Sequence, residues 1–272
     1  MKILGIHGIG NHRPGESHGT AARNLATTWA KHLGADDADV HVVYYADLLR
    51  ETGGQSGDED LTDLTPAQEE LVLEFLNAQP ADPSGRVPQG LLTALLRDRL
   101  AALAESRECP EWYMQWYMAR LAKEVVAYQA PGTGRTAVQQ RLSEAIDLHR
   151  PDVLVAHSLG SVVAYETLHR AGTAHIPLWV TIGSPLALPK VVFDRLAPAP
   201  VDGMGTRPDA VGRWANLADP GDLVALPAKG VSRRFSGVES DDHVVVHQGF
   251  KFHHAEKYLQ SPALARLLAS VA

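Results

Sequence analysis

Residues 152–161, DVLVAHSLGS, constrain the fold more than any other stretch of the chain. Apolar β-formers run into Ala156, then His157-Ser158-Leu159-Gly160, and then into a sequence with helical character. A strand that turns this sharply into a helix needs small residues two before and two after the turning serine, because a side chain there would strike the neighbouring strand or helix. Ala156 and Gly160 occupy those two positions. A serine that merely caps a helix reads the same way locally. What Ser158 does therefore depends on what the rest of the chain brings to it.

Strand-like and helix-like segments alternate on either side of this turn. Residues 2–8, 39–46, 152–157, 177–185 and 212–219 read as strands, with a last short one at 243–249. Residues 16–34 read as a helix with Leu25, Trp29 and Leu33 on one stripe and Gly34 as its stop. A final helix is expected at about 254–271. Such alternation predicts an α/β fold with a mostly parallel central sheet covered by helices on both faces. Residues 51–63 are Gly-rich and acidic and read as a surface loop. Thr65 as N-cap and Pro66 at the first position then open a run of helices. This run interrupts the alternation, so the expected organisation is one domain over 1–272 with a helical insertion, a cap, at about 62–130.

Composition narrows the classes of partner. The 272 residues carry a formal net charge of −7, which disfavours nucleic acid and anionic lipid, both of which call for clustered Lys and Arg. Cys109 is the sole cysteine, so no internal disulfide can form. The N-terminal MKILGIHGIG is too short in its apolar run for a signal-peptide core, and no run reaches membrane-spanning length. The expectation is a cytoplasmic protein without stable membrane association.

Immediately after the first strand, IHGIGNH (6–12) makes a glycine turn. It is not a dinucleotide-binding G-x-G-x-x-G turn, since Arg13 stands where the third glycine belongs. HGIG, VAHSLGS, TIGSPL, WANLADPGDLVA and HHAEKYLQSPAL, in that order, resemble the α/β-hydrolase superfamily, and more narrowly its bacterial lipase- and esterase-like serine hydrolases. The resemblance is anchored from residue 3 to residue 263 and is weak across 50–150.

That resemblance implies a Ser-Asp-His catalytic triad in chain order, with Ser158 as nucleophile. It implies an oxyanion hole formed by the backbone N–H groups of Ile9 and Leu159. The acid would come from Asp219 or Asp222; the N-x-x-D-x-x-D-x-V pattern favours Asp222, with Asp219 as a local turn cap. The base would be His253 or His254, the His-x-A-x-x-Y-L pattern favouring His253. His157 is expected to pack around the turn, and His7 to fix the glycine turn through hydrogen bonds. His243 and His247, flanking VVV on a strand, would lie about 13 Å apart and cannot share a metal ion. Neither a metal nor an organic cofactor is expected.

EWYMQWYMARL (111–121) is apolar nearly all round, as for a buried helix. The sharper alternative, compatible with the first, is that its inner side lines an acyl pocket, with Trp112 and Trp116 as the candidate substrate-binding residues. The expected activity is hydrolysis of a carboxylic ester or thioester of a small-molecule acyl substrate with a hydrophobic part, through an acyl-enzyme. An amidase or peptidase on the same triad, or a non-catalytic binding module of the same fold, are the alternatives.

Overall fold

The computed structural model describes residues 1–34, 38–49, 61–79, 92–130, 132–244, 246 and 252–271. Six strands form one entirely parallel sheet: β1 (Lys2–Ile6), β2 (Asp39–Val43), β3 (Val153–His157), β4 (Ile176–Ile182), β6 (Val211–Ala218) and β8 (Ser240–His243). Their spatial order is β2-β1-β3-β4-β6-β8. A second, two-stranded parallel piece pairs β5 (Gly205–Thr206) with β7 (Phe235–Ser236).

Both faces of the sheet are covered, and successive strand residues alternate between them. Val153 and Val155 join Ile3, Leu178, Val180 and Leu217 in one apolar layer with Ala21, Leu25 and Trp29 of α1 (His18–Leu33). That layer also takes Tyr258 and Leu259 of α8 (Ala255–Leu259), and Leu264 and Leu268 of α9 (Pro262–Ala269). Leu154 and Ala156 belong to the opposite layer, with Leu4, Ile6, Trp179 and Trp214. This second layer continues into α2 (Pro66–Ala78), α3 (Leu92–Ser106), α4 (Glu111–Gln129), α5 (Thr133–His149) and α6 (Leu159–Leu168). It also takes Val231 of the short α7 (Gly230–Arg234), which leads into β7.

Local signals set several helix ends. Ser17 accepts from Thr20 N–H at the start of α1, and Gly34 closes the helix in the left-handed region at φ 60°. Thr65 and Gln68 form a reciprocal capping box with Pro66 in the first turn of α2. The C-terminal helix differs from expectation. It is two helices, broken where Ser261 caps a new start at Pro262 and accepts from Leu264 N–H at 3.2 Å; a proline fits the first turn of a helix but cannot continue one.

The last strand begins earlier than expected, and of the 243–249 segment residues 245 and 247–249 lie outside the described part. Ser240–His243 pair with Ala215–Ala218, and the ladder ends where VVV begins. The strand expected at 39–46 stops at Val43 and passes into a 3-10 turn at Ala46–Leu48. Of the acidic stretch 51–63, residues 51–60 lie outside the described part, and Leu61–Asp63 form a 3-10 turn with Leu61 buried.

α5 and α6 are clamped to the insertion by one buried carboxylate. Glu166 Oε2 on α6 accepts from Tyr128 O–H at 2.6 Å, Gln139 Nε2 at 2.9 Å and Arg135 Nε at 2.9 Å, while Oε1 accepts from Ala197 N–H at 3.1 Å and pairs with Arg135 Nη2. A buried charge is tolerable when paired and hydrogen-bonded in this way. No helix among the described residues is long and apolar enough to cross a membrane.

The topology singles out one place for a site. β2 pairs on one side of β1 and β3 on the other, so the chain reverses direction across the sheet there. In open parallel sheets the loops at the carboxyl ends of two such strands diverge and leave a crevice between them. Those two loops are the 7–12 glycine turn and the turn at Ser158.

Candidate active site

Ser158 sits at the carboxyl end of β3 with φ 53° and ψ −129°. That region is sparsely populated by residues with a side chain and costs roughly 1–3 kcal/mol, which the surroundings must supply. They do so through close approach and hydrogen bonds. Ser158 N–H donates to Ile182 O at 3.1 Å. A Cβ on Gly160 would lie 2.5 Å from His7 O and 2.7 Å from Ile6 O, so only glycine lets α6 start against the end of β1. Ser161 O–H donates to Ser158 O at 2.6 Å and pairs with Ser184 Oγ at 2.7 Å, tying the turn to the segment after β4.

The glycine turn packs directly on this serine. A Cβ on Gly8 would fall 2.5 Å from Ser158 Cβ and 2.8 Å from His157 Nδ1. Three side chains fix the turn. His7 Nε2 accepts from Tyr45 N–H at 3.1 Å, so its proton is on Nδ1, which donates to Gly8 O at 2.7 Å. Burial then holds His7 neutral, lowering its pKa from 6.5 to about 4. Asn11 Nδ2 donates to Gly8 O and Ile9 O, both at 3.1 Å. Glu124, reaching over from α4, accepts Gly10 N–H at 2.9 Å.

His253 and Asp222 meet beside this pair of turns. His253 Nδ1 lies 2.7 and 2.9 Å from the two Asp222 oxygens, with both residues buried. Asp222 also accepts from Tyr258 O–H at 2.8 Å and Val224 N–H at 2.9 Å. With Nδ1–H given to the carboxylate, Nε2 is the ring's acceptor; it is shielded from solvent and has no hydrogen-bond partner among the described residues. Ser158 and His253 are not hydrogen-bonded to each other, a looseness common where the substrate completes the geometry. His157 Nε2 donates to His253 O at 3.1 Å, and the two rings stand 4.7 Å apart.

The alternatives separate clearly. Asp219 takes Gly221 N–H at 2.7 Å and Val246 N–H at 2.5 Å, an Asx turn that shapes the loop. His254 is turned outward, with its side chain 40 % exposed, near Tyr113 O–H at 3.4 Å and Glu256 at 3.8 Å. His243 ends β8, where its Nε2 accepts from Lys229 N–H at 2.7 Å; His247 lies outside the described residues.

Two spaces share Ile9 in their linings, and one of them reaches Ser158. One is a narrow apolar pocket of about 10 Å³ lined by Ser158, Leu159, Leu121, Val125, Leu188 and Val192, among others. The other is an open cleft of about 220 Å³ bordered by His157, His253 and His254. α4 serves both the core and the cleft. Met114 and Met118 are fully buried in the core, while Tyr113, Trp116, Tyr117 and Arg120 line the cleft. Trp112 is displaced from its expected place: it is 68 % exposed and lines neither space. The helix register puts Tyr113 and Tyr117 inward instead, at the i, i+3, i+4, i+7 spacing of one face with Trp116 and Arg120.

Two contributors escaped the sequence reading. Gly183, after β4, adopts φ 54°, and a Cβ there would lie 2.9 Å from Asp222 Oδ2 and 3.1 Å from His253 Cε1. Its signal was the I-G-S-P turn following a strand. Tyr258 was visible only as part of the terminal motif. Among the described residues, no group of three or more His, Cys, Asp and Glu is placed to hold a metal ion. Comparison with protein-family models, curated proteins and solved structures found no match to this chain.

Proposed function

We propose that this chain is a serine hydrolase of the α/β-hydrolase kind that cleaves a carboxylic ester or thioester carrying a short acyl group. The observation that carries this reading is the buried Asp222–His253 pair, with His253 Nε2 unpartnered among the described residues and His253 O bonded to His157, the neighbour of a serine held in a strained turn. Backbone strain that the surrounding residues over-determine clusters at functional sites. An Asp-oriented imidazole is what a serine hydroxyl needs to act as a nucleophile at neutral pH.

In this mechanism His253 Nε2 takes the Ser158 hydroxyl proton as Oγ attacks the acyl carbonyl. The oxyanion of the tetrahedral intermediate is held by the N–H groups of Ile9 and Leu159, the latter at the start of α6. His253 returns the proton to the departing alcohol or thiol, leaving the acyl group on Ser158. A water, deprotonated by the same nitrogen, attacks the acyl carbon; collapse of that adduct frees the acid and restores Ser158. The apolar pocket, with room for about one water, fits a short acyl chain better than a long one.

Intact-protein mass spectrometry after treatment with a fluorophosphonate tests the reading on wild type, Ser158→Ala, His253→Ala and His254→Ala. A single adduct mapped to Ser158, absent in the Ser158 and His253 variants and retained in His254→Ala, is expected. A folded wild type that takes no adduct would overturn the proposal.

A further inference from the structure

The open cleft on the far side of Ile9 has a chemistry of its own, and its role as a substrate site rests on Ser158 being the nucleophile. If the apolar pocket takes the acyl group, the cleft is where the departing alcohol or thiol must lie. Its volume of about 220 Å³ is below the ~300 Å³ at which drug-sized sites begin, so it suits a compact group. Aromatic rings from α4 form one wall, offering flat apolar surface to a ring or a planar body.

The charged groups bordering that surface are Arg13 and Arg120 against Glu256, among the described residues. Two guanidiniums thus face one carboxylate on the lining itself, with Glu16 and Glu124 behind them as ion-pair partners. Arg120 is pre-positioned: its Nε donates to Glu124 at 3.2 Å and its guanidinium lies over the Trp116 ring at 5.5 Å. Arg13 is held more loosely, its ion pair with Glu16 stretched to 4.0 Å and its side chain 37 % exposed.

Two donors on this lining have nothing to bond. Arg13 Nε and Tyr117 O–H are shielded from water and lack any hydrogen-bond partner among the described residues. The Tyr117 ring stands edge-on to His253 at 5.9 Å, which places it at the inner end of the cleft. Burial keeps its phenol protonated, well above the usual range, so it is available as a donor. Unsatisfied buried donors are rare enough to call for an acceptor that the site receives from elsewhere.

We propose that the cleft binds the leaving group of the substrate, and that this group is a planar or aromatic alcohol or thiol bearing an oxyanion, either carboxylate or phosphate. Arg13 meets the oxyanion, Arg120 adds its field, and Tyr117 donates to an acceptor nearer the scissile bond. Guanidinium is the donor best matched to either anion, because its planar fork can bond two oxygens at once.

Calorimetry on Ser158→Ala reads this binding without turnover, using 4-hydroxybenzoate, 4-hydroxyphenyl phosphate and neutral 4-hydroxybenzamide as probes. At least one anion is expected to bind about 10-fold or more tightly than the amide, and Arg13→Gln to remove that margin. Tyr117→Phe is expected to weaken all three probes, by roughly 3- to 10-fold. Equal affinity for anion and amide, an Arg13→Gln variant with the margin intact, or no binding of any probe would overturn the inference. Turnover of neutral phenyl acetate by the wild type separates the two failures. If it is hydrolysed while the anions bind no better than the amide, the hydrolase reading stands and this one falls. If the anions bind but Ser158 takes no fluorophosphonate, the anion site stands without the hydrolase.

Discussion

Gly8 and Ser158 are in such close contact that a methyl group on Gly8 would sit 2.5 Å from Ser158 Cβ and 3.1 Å from its hydroxyl oxygen. The contact joins the carboxyl ends of β1 and β3, the two strands between which the chain reverses across the sheet. It explains why the glycine turn cannot tolerate a side chain there. Gly8→Ala must push the two turns apart, moving the Ile9 N–H relative to the serine. Fluorophosphonate labelling is expected to slow by roughly 10²-fold or more, as for the loss of one oxyanion donor. Overpacking should cost about 1–3 kcal/mol in urea unfolding. A variant that labels at the wild-type rate would show that the turn plays no part in the reaction.

Asp222 and Asp219 stand three residues apart but do different work. Asp222→Asn leaves the shape of the carboxylate but presents an amide to His253 Nδ1, favouring the wrong tautomer. A fall of about 10⁴-fold in kcat is expected with the fold retained. Asp219→Asn can still accept one of the two backbone N–H groups that Asp219 now holds. A stability loss of about 1 kcal/mol and a rate change of less than about 10-fold are expected there. Steady-state kinetics on both variants, paired with urea unfolding, separate the roles; the opposite ranking would assign the acid to Asp219.

His7 gives the protein a specific acid sensitivity. Buried against Tyr45 and donating to Gly8 O, it protonates only at about 4 when folded, against 6.5 when exposed. Between those values the unfolded chain binds a proton that the native state refuses, so stability falls as pH drops from 6.5 to 4. The shift corresponds to about 3 kcal/mol over the whole window. Asp241, lowered from 3.8 to about 2 by its surroundings of His243, Ser232 and Asn216 despite its burial, acts in a lower window, losing its contribution as pH falls from 3.8 towards 2. Urea midpoints measured from pH 7 to 4.5 should drop more steeply for wild type than for His7→Gln. Parallel curves would mean that His7 titrates normally.

The sequence could be read where one physical requirement dominated. Strands β1, β3 and β4 are buried over most of their length, so their apolar runs announce them, whereas β6 carries Arg213 and Asn216 within it. The Ser158 turn is legible because sterics permit only small residues at Ala156 and Gly160. The start of β8 at Ser240 escaped notice because polar contacts rather than hydrophobicity select it. Asp241 accepts from Asn216 Nδ2 of β6 at 2.8 Å and from Ser232 N–H of α7 at 2.9 Å, contacts that no local periodicity announces. The break at Ser261-Pro262 carried a local signal that the apolar periodicity of 254–271 masked. On α4, spacing alone groups Trp112 with Trp116; the burial of Met114 and Met118 in the layer that α4 shares with α2 and α3 goes with the rotation that leaves Trp112 exposed and Tyr113 and Tyr117 on the cleft. The rings of the aromatic cluster were thus identified by composition, and their division of labour by tertiary contact.

The narrow pocket beside Ser158 turns that division into a measurable preference. Val125, from α4, forms part of its wall and is buried, and alanine in its place keeps the helix while removing two methyl groups from the lining. The space gained admits a longer acyl chain. Since each extra methylene accommodated is worth roughly 10- to 200-fold in discrimination, Val125→Ala should raise kcat/KM for p-nitrophenyl butanoate relative to acetate by about 10-fold. Trp112→Ala, altering a side chain 68 % exposed to solvent, should leave the acetate-to-butanoate ratio where it was. If Val125→Ala leaves the ratio unchanged while Trp112→Ala moves it, the acyl chain runs along the outer face of α4 and not into the pocket beneath it.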